Sequence, residues 1–158
     1  MDVHPTNYLT PDELELCWQV RKMCACDQLR RVTRGVTALY DNGMAASGLK
    51  VTQLPIFVGL GSEGDLPLSM LADKLALDRT TLTRNLKVLE DRGLIRTYES
   101  ADDARVRMVC ITLEGSAMLT GALARWAEVQ DYVEERFGRD RLIALEDELA
   151  AFSRALEA

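Results

Sequence analysis

Leu142, Leu145, Leu149, Phe152 and Leu156 recur at alternating spacings of three and four near the end of the chain. Leu119, Ala122, Trp126, Val129 and Val133 do the same just before them. Rows of that period are apolar stripes on helices, and a stripe buries against other helices. The opposite end promises a third long helix. Thr10-Pro11-Asp12-Glu13 is a strong start, with a capping threonine, a proline in the first turn and a glutamate where a capping box needs it. Leu14, Cys17, Val20/Arg21, Cys24, Gln28, Arg31/Val32, Gly35/Val36, Leu39 and Gly43 then step by three and four, and Gly48 is placed to stop the run. One helix of roughly 30 residues is expected there, too long to bury all its faces in one small domain. Any single stripe can pack within its own chain. Three long helices flanking a compact middle point instead to a homodimer.

The middle is read from its caps and breakers. A second helix is expected from Thr52, with Pro55 in its first turn and Gly59, Gly61 and Gly64 ending it. Leu66-Pro67-Leu68 is a short extended connector. Ser69 is placed to cap a third helix over 70–76, and Asp78 a fourth from Arg79 to about Arg92, stopped by Gly93. Residues 94–99 and 107–112 are the two β runs, and the polar tip 100–106 between them makes a two-stranded hairpin. Thr112 caps a helix over 113–137, Gly138 breaks it, and a last helix runs from about Asp140 to Leu156. The fold class is mostly α with a small β-hairpin.

Leu77-Asp78 joins the third and fourth helices, and Ala72, Leu75, Leu82 and Leu86 are spaced to pack them together as a helix-turn-helix. On the fourth helix Leu82, Leu86 and Leu89 form an inner row, opposite Arg79/Thr80, Thr83/Arg84 and Lys87. Arginine can bond two acceptors on guanine, threonine can touch base edges or a thymine methyl, and lysine neutralises phosphate. The helix N-terminus adds N–H groups that favour phosphate. A solvated helix face has a similar composition. The hairpin weighs against that reading, because its tip runs Asp102-Asp103-Ala104-Arg105-Val106-Arg107. Arg105 and Arg107 are two apart and would share a face of an extended strand. An arginine on such a tip suits a narrow minor groove, and Asp103 is close enough to hold an arginine side chain. A solvated turn with casual ion pairs is the alternative.

Residues 68–115, LSMLADKLALDRTTLTRNLKVLEDRGLIRTYESADDARVRMVCITLEG, resemble the winged helix-turn-helix core of the MarR family of transcriptional regulators. The resemblance rests on Leu-Ala-x-x-Leu, Thr-Leu-Thr-Arg, Leu-Glu-x-Arg-Gly-Leu-Ile and the Asp-x-Arg of the wing, and the flanking helices match the family's dimerisation arms. It implies a winged helix-turn-helix domain with long N- and C-terminal dimerisation helices. The parts would be an arm at 1–50, the DNA-binding lobe at 51–112 and C-terminal dimerisation helices at 113–158. It further implies a homodimer whose recognition helices enter successive major grooves of a pseudo-palindromic operator, with the wings in the flanking minor grooves. Ser69, Thr80, Thr81, Thr83, Arg84 and Lys87 fall on the family's DNA-facing positions, and Arg105 on its wing arginine. Arg79, from the outer row, and Arg107, from the wing, complete the candidate set. The family's wing commonly runs Asp-Arg-Arg; Ala104 replaces the first of those arginines, which leaves the role of Arg107 open.

Charge at first argues the other way. The chain has 19 Lys and Arg against 25 Asp and Glu, a formal net charge of −6. Spread evenly, that charge would repel phosphate. It is not spread evenly: residues 1–65 carry net −2, 66–107 net +1 and 108–158 net −5. The acid lies in the arms, and the lobe that would meet DNA is the positive third.

Two kinds of input are open. Cys17, Cys24 and Cys26 lie on the first helix, and 24–41 resembles the first helix of a branch of the family in which cysteines recur. They are candidates for redox sensing, or simply small apolar core residues. On a continuous helix Cys26 is about 200° round from Cys24, so the two would not bridge easily. Trp18, Met23, Tyr40 and Trp126, with Tyr132, are candidates for a pocket taking an aromatic or phenolic effector; core or dimer packing is the other use of such residues.

Enzymatic chemistry needs convergent acids, bases or nucleophiles. The one histidine, His4, sits near the N-terminus, and there is no phosphate-cradling glycine loop and no metal-ligand spacing. No catalytic residue, cofactor or metal is expected. Nor is there a basic leader followed by an apolar stretch, or an apolar run long enough to span a bilayer, so a cytoplasmic protein without structural disulfides is expected. The chain therefore reads as a dimeric DNA-binding regulator, a repressor released by a small aromatic ligand or by cysteine oxidation. The competing reading is a helical protein-interaction adaptor that does not bind DNA; it accounts for the stripes and leaves the wing unexplained.

Overall fold

Helix α1, Pro11–Met23, begins with the expected capping box: the Glu13 amide donates to Thr10 Oγ1 at 3.3 Å, and the Thr10 amide donates to the Glu13 carboxylate at 2.7 Å. These observations come from a computed structural model describing residues 8–156, so His4 lies outside the described residues. The expected single long helix is in fact two. Cys24 leaves helical geometry at φ −69°, ψ 104°, and α2, Ala25–Gly43, starts immediately after it. The break costs few hydrogen bonds. The Cys24 N–H still reaches Val20 O at 3.0 Å, and its carbonyl still accepts from the Gln28 amide at 3.1 Å.

The described residues form two compact units, divided at Ala38/Leu39 within α2. In the first unit no residue of α1 is buried.

The second unit holds the rest of α2, a short 3-10 turn at Ala45–Ser47, and α3, Leu54–Glu63. Gly64 (φ 82°) ends α3 as expected, but Gly59 and Gly61 lie inside it. Gly61 is there for contact: a Cβ would come within 2.9 Å of Leu119 Cδ2, so the missing side chain lets α3 approach the later helix α6, Leu113–Phe137. The Leu66–Pro67 connector is a strand, β1, and it turns the expected two-stranded hairpin into a three-stranded antiparallel sheet. The strand order is β1-β3-β2, with β2 at Ile95–Glu99 and β3 at Arg107–Ile111; Leu66 faces Val109, and Thr97 faces Val109 from the other side. Proline has no N–H for a ladder, and Pro67 sits on an outer strand, where that loss matters least.

Helix α4, Leu68–Lys74, starts two residues earlier than expected, so Ser69 lies inside it and makes no cap; Pro67 occupies the N-cap position. The link to α5, Arg79–Asp91, bends through Ala76 at φ +50°, and the Leu77 amide returns to Ala72 O at 3.0 Å. Ala72, Leu82 and Leu86 are buried as expected and Leu75 is half-buried against the core, while Leu71, not part of that expected set, is fully buried beside them. Thr112 caps α6 through the Gly115 amide, Gly138 ends it, and α7, Arg139–Leu156, follows.

A single apolar core runs from Tyr40 and Met44 through Phe57, Leu60, Leu71, Leu82, Leu89, Ile95 and Val109 to Leu119, Ala122 and Val129. The first half of α6 is thus packed into the same body as the helix-turn-helix. Helix α7 contacts α6 but buries no residue, and Leu145, Leu149, Phe152 and Leu156 are exposed in the single chain. Among the described residues no helix is long and apolar enough to cross a membrane.

Candidate nucleic-acid interface

The inner row of α5 is buried, which forces its opposite face outward. Arg79, Thr80, Thr83, Arg84 and Lys87 are all exposed and together line a shallow concavity of about 540 Å³ with no carboxylate in its wall. No interaction with another described residue engages the guanidinium of Arg79 or Arg84. Lys87 leans toward Asp91 one turn on, at 3.6 Å, and Thr83 Oγ1 donates to the Arg79 carbonyl at 2.7 Å. The positive N-terminal end of the α5 dipole adds to the same field.

Thr81 has a different job. Its amide donates to Asp78 Oδ1 at 2.8 Å and its hydroxyl to Oδ2 at 2.6 Å, so it is half-buried in the cap that starts the helix. Those bonds hold the Asp78 carboxyl below its ordinary pKa, the hydroxyl bond being the larger cause. Ser69 is exposed on the second residue of α4.

The wing tip is a tight turn, closed by the Ser100 amide on the Val106 carbonyl at 2.9 Å. Arg105 lies in that turn, not on the strand, so it does not share a strand face with Arg107 as the spacing suggested. Asp103 holds the backbone amide of Arg105, at 2.9 Å, instead of an arginine side chain. A carboxylate that organises the turn leaves the Arg105 guanidinium exposed and without a carboxylate among the described residues. Arg107 is tied down: Nη2 donates to Thr97 Oγ1 at 2.9 Å, and Nη1 lies 4.0 Å from Glu99. A second cavity, about 350 Å³, lies between α5 and the wing base; Arg79, Thr83, Lys87, Glu90, Thr97 and Arg107 contribute to its wall.

Glu90 and Thr97 were not legible as site residues. They are seven apart, on a helix and a strand, and no periodicity joins them. Tyr98 is a second such case: its hydroxyl donates to Asp65, tying β2 to the loop before β1.

The sensing candidates fall in both units. In the first unit Cys17 and Cys26 are exposed and Cys24 is half-buried, so none of the three serves as a core residue within the single chain. Because Cys24 is off the helix, the angular argument against its pairing with Cys26 does not apply. Trp18 is exposed with the Arg21 guanidinium 5.4 Å from its ring centre, and Met23 is exposed. In the second unit Tyr40 is buried and its hydroxyl donates to Gln130, one turn beyond the exposed Trp126. Burial, then the nearby Glu146 and Glu134 charges, push the Tyr40 phenol above its ordinary pKa. Among the described residues no cluster of three or more His, Cys, Asp or Glu is arranged to hold a metal ion.

Comparison with known proteins assigns the architecture. The sequence pattern of the MarR family matches residues 47–106, from the 3-10 turn to the wing. The chain is 32% identical to the HTH-type transcriptional regulator YhbI of Bacillus subtilis over 81 residues, about half of each protein (51% and 53%). It is 30% identical to the transcriptional regulator HosA of Escherichia coli over 125 residues, covering 79% of this chain and 87% of HosA. The crystal structure of the M. tuberculosis transcriptional regulator MosR in complex with DNA superposes with a TM-score of 0.74 at 33% identity, over 85% of this chain and 99% of that one. With its helix-turn-helix, its wing and these relatives, all transcriptional regulators, the chain belongs to the MarR family and is a DNA-binding transcriptional regulator.

Proposed function

We propose that the protein is a homodimeric repressor that binds a pseudo-palindromic operator. Each α5 enters a major groove, and each wing tip reaches a flanking minor groove. The observation that carries this is the exposed face of Arg79, Thr80, Thr83, Arg84 and Lys87, on which the guanidinium groups of Arg79 and Arg84 meet no carboxylate among the described residues, together with the likewise unengaged guanidinium of Arg105 on the wing tip. Arg84 and Thr80 read base edges; Arg79, Lys87 and Ser69 take phosphates; Arg105 enters the minor groove. Thr81 supports the reading helix through Asp78. The arms, 1–50 and 113–158, dimerise by covering the apolar side chains that the single chain leaves exposed, Leu145, Leu149 and Phe152 among them. A dimer seated on a promoter blocks it, which makes repression the direct outcome of binding. Release follows from an aromatic or phenolic effector near Tyr40 and Trp126, or from oxidation of the arm cysteines Cys17, Cys24 and Cys26. The place of work is the cytoplasm.

The test is a gel shift on the DNA upstream of the protein's own gene, repeated across a salt series. The expected result is a discrete complex whose affinity falls steeply with salt. A chain that binds no duplex at low salt is the helical adaptor instead. Adding peroxide, reductant or a panel of aromatic acids identifies the input, and sedimentation of the free protein reads the dimer.

A further inference from the structure

We infer that Glu90 and Thr97 are positioning residues that set the wing at a defined angle to the recognition helix, and that Arg107 serves this linkage instead of touching DNA. The inference rests on the reading that α5 and the wing tip engage one duplex. The linkage is a continuous chain of hydrogen bonds across three elements. Glu90 Oε1, in the last turn of α5, accepts from the Thr97 amide at 2.8 Å and from the Thr97 hydroxyl at 2.9 Å. The hydroxyl spends its one proton there, so its oxygen is left to accept, and Arg107 Nη2 on β3 donates to it at 2.9 Å. Each bond polarises the next. Apolar packing through Leu89 and Ile95 already orients α5 and β2, and the directional bonds restrict the freedom that remains to the wing.

A duplex presents its major and minor grooves at a set separation. A protein that reads both must hold its two reading elements at the matching offset before it binds, or lose affinity to ordering them. Arg105 lies in the turn, six residues beyond Glu99, which ends the strand that Thr97 anchors. A rotation of the wing about Thr97 therefore displaces the tip that carries Arg105.

Thr97→Val removes the hydroxyl and keeps the shape; Thr97→Ser keeps the hydroxyl. The probe is a duplex selected by the wild-type protein from a randomised pool, used with A·T-rich flanks and again with G·C flanks, whose wider minor groove offers the wing little. On A·T flanks Thr97→Val is expected to bind about tenfold more weakly, with little loss on G·C flanks, and Thr97→Ser to recover wild-type affinity. Combined with Arg105→Ala, Thr97→Val is expected to add no further loss, since a missing arginine cannot be misplaced. Equal losses on both duplexes, as a folding defect would give, or additive losses in the double variant, overturn the positioning role. If Arg105→Ala alone binds both duplexes like the wild type, the minor-groove reading fails, and the positioning role fails with it.

Discussion

The guanidinium of Arg92 donates to the carbonyl oxygen of Gly48 across 2.9 Å, bridging 44 residues of sequence. It also lies 3.5 Å from Met118 Sδ on α6. Arg92 is the first residue beyond α5, and Gly48 closes the 3-10 turn that follows α2. One side chain thus joins three elements. Arg92→Ala is expected to destabilise the fold by about 1 kcal/mol, because a carbonyl at a chain reversal loses a charged donor. Urea unfolding should show a lower midpoint with an unchanged slope.

The cap of α5 predicts an acid-dependent stability. Asp78 has a folded pKa below its unfolded one, and Glu13 shares that direction through its bonds to Thr10. The contribution of such a group is complete above the ordinary carboxylate range and is lost as pH falls through the folded value. Asp78→Asn keeps an acceptor for the Thr81 amide and should flatten this part of the acid limb. Asp78→Ala should lower the thermal midpoint at neutral pH as well, which a pH series of melting curves would separate.

Ala76 adopts φ +50° in the turn between α4 and α5, a region where a Cβ is unfavourable. Its side chain is exposed, so little packing is lost on removing it. Ala76→Gly should therefore stabilise the protein by about 0.5–1 kcal/mol, net of the extra freedom glycine gives the unfolded chain. A lower urea midpoint would show that the turn carries no strain.

Arg84 and Lys87 should fail differently. Arg84→Ala is expected to cost about 1–3 kcal/mol on a specific duplex and to relax preference at one base step. Lys87→Ala should weaken all sequences alike and flatten the salt slope by about one unit. Equilibrium titrations on specific and scrambled duplexes at several salt concentrations distinguish them; matching profiles would remove the division of labour along the α5 face.

Leu149 lies in an exposed apolar row on a helix that buries none of its own residues. Leu149→Glu should give monomers in sedimentation and abolish operator binding, while far-UV circular dichroism stays unchanged. Dimers that persist would move the contact elsewhere on the arms.

Caps and inner rows could be read from residues alone because they are local: Thr10 and Glu13 find each other within one turn, and Leu82, Leu86 and Leu89 within two. The break at Cys24 could not, since no glycine or proline marks it and the backbone bonds persist on either side. Gly61 looked like a helix end because its use depends on Leu119, which is 58 residues away. Ser69 has the residue type of a cap, but Pro67 ends a strand paired with β3 and so takes the N-cap position itself. The outer row of α5 was legible as a pattern, but the commitments of single side chains were not: Thr81 to Asp78, Asp103 to a backbone amide, Arg107 to Thr97.

The same carboxylate that steadies the wing also guards it. Strand β2 is one of the two outer strands of the sheet, and its amide at Thr97 is already taken by Glu90. A foreign strand approaching this side would have to displace a charged group to find a hydrogen-bonding partner. Strand addition at the middle of β2 is thereby discouraged on the side of the sheet that faces the recognition helix.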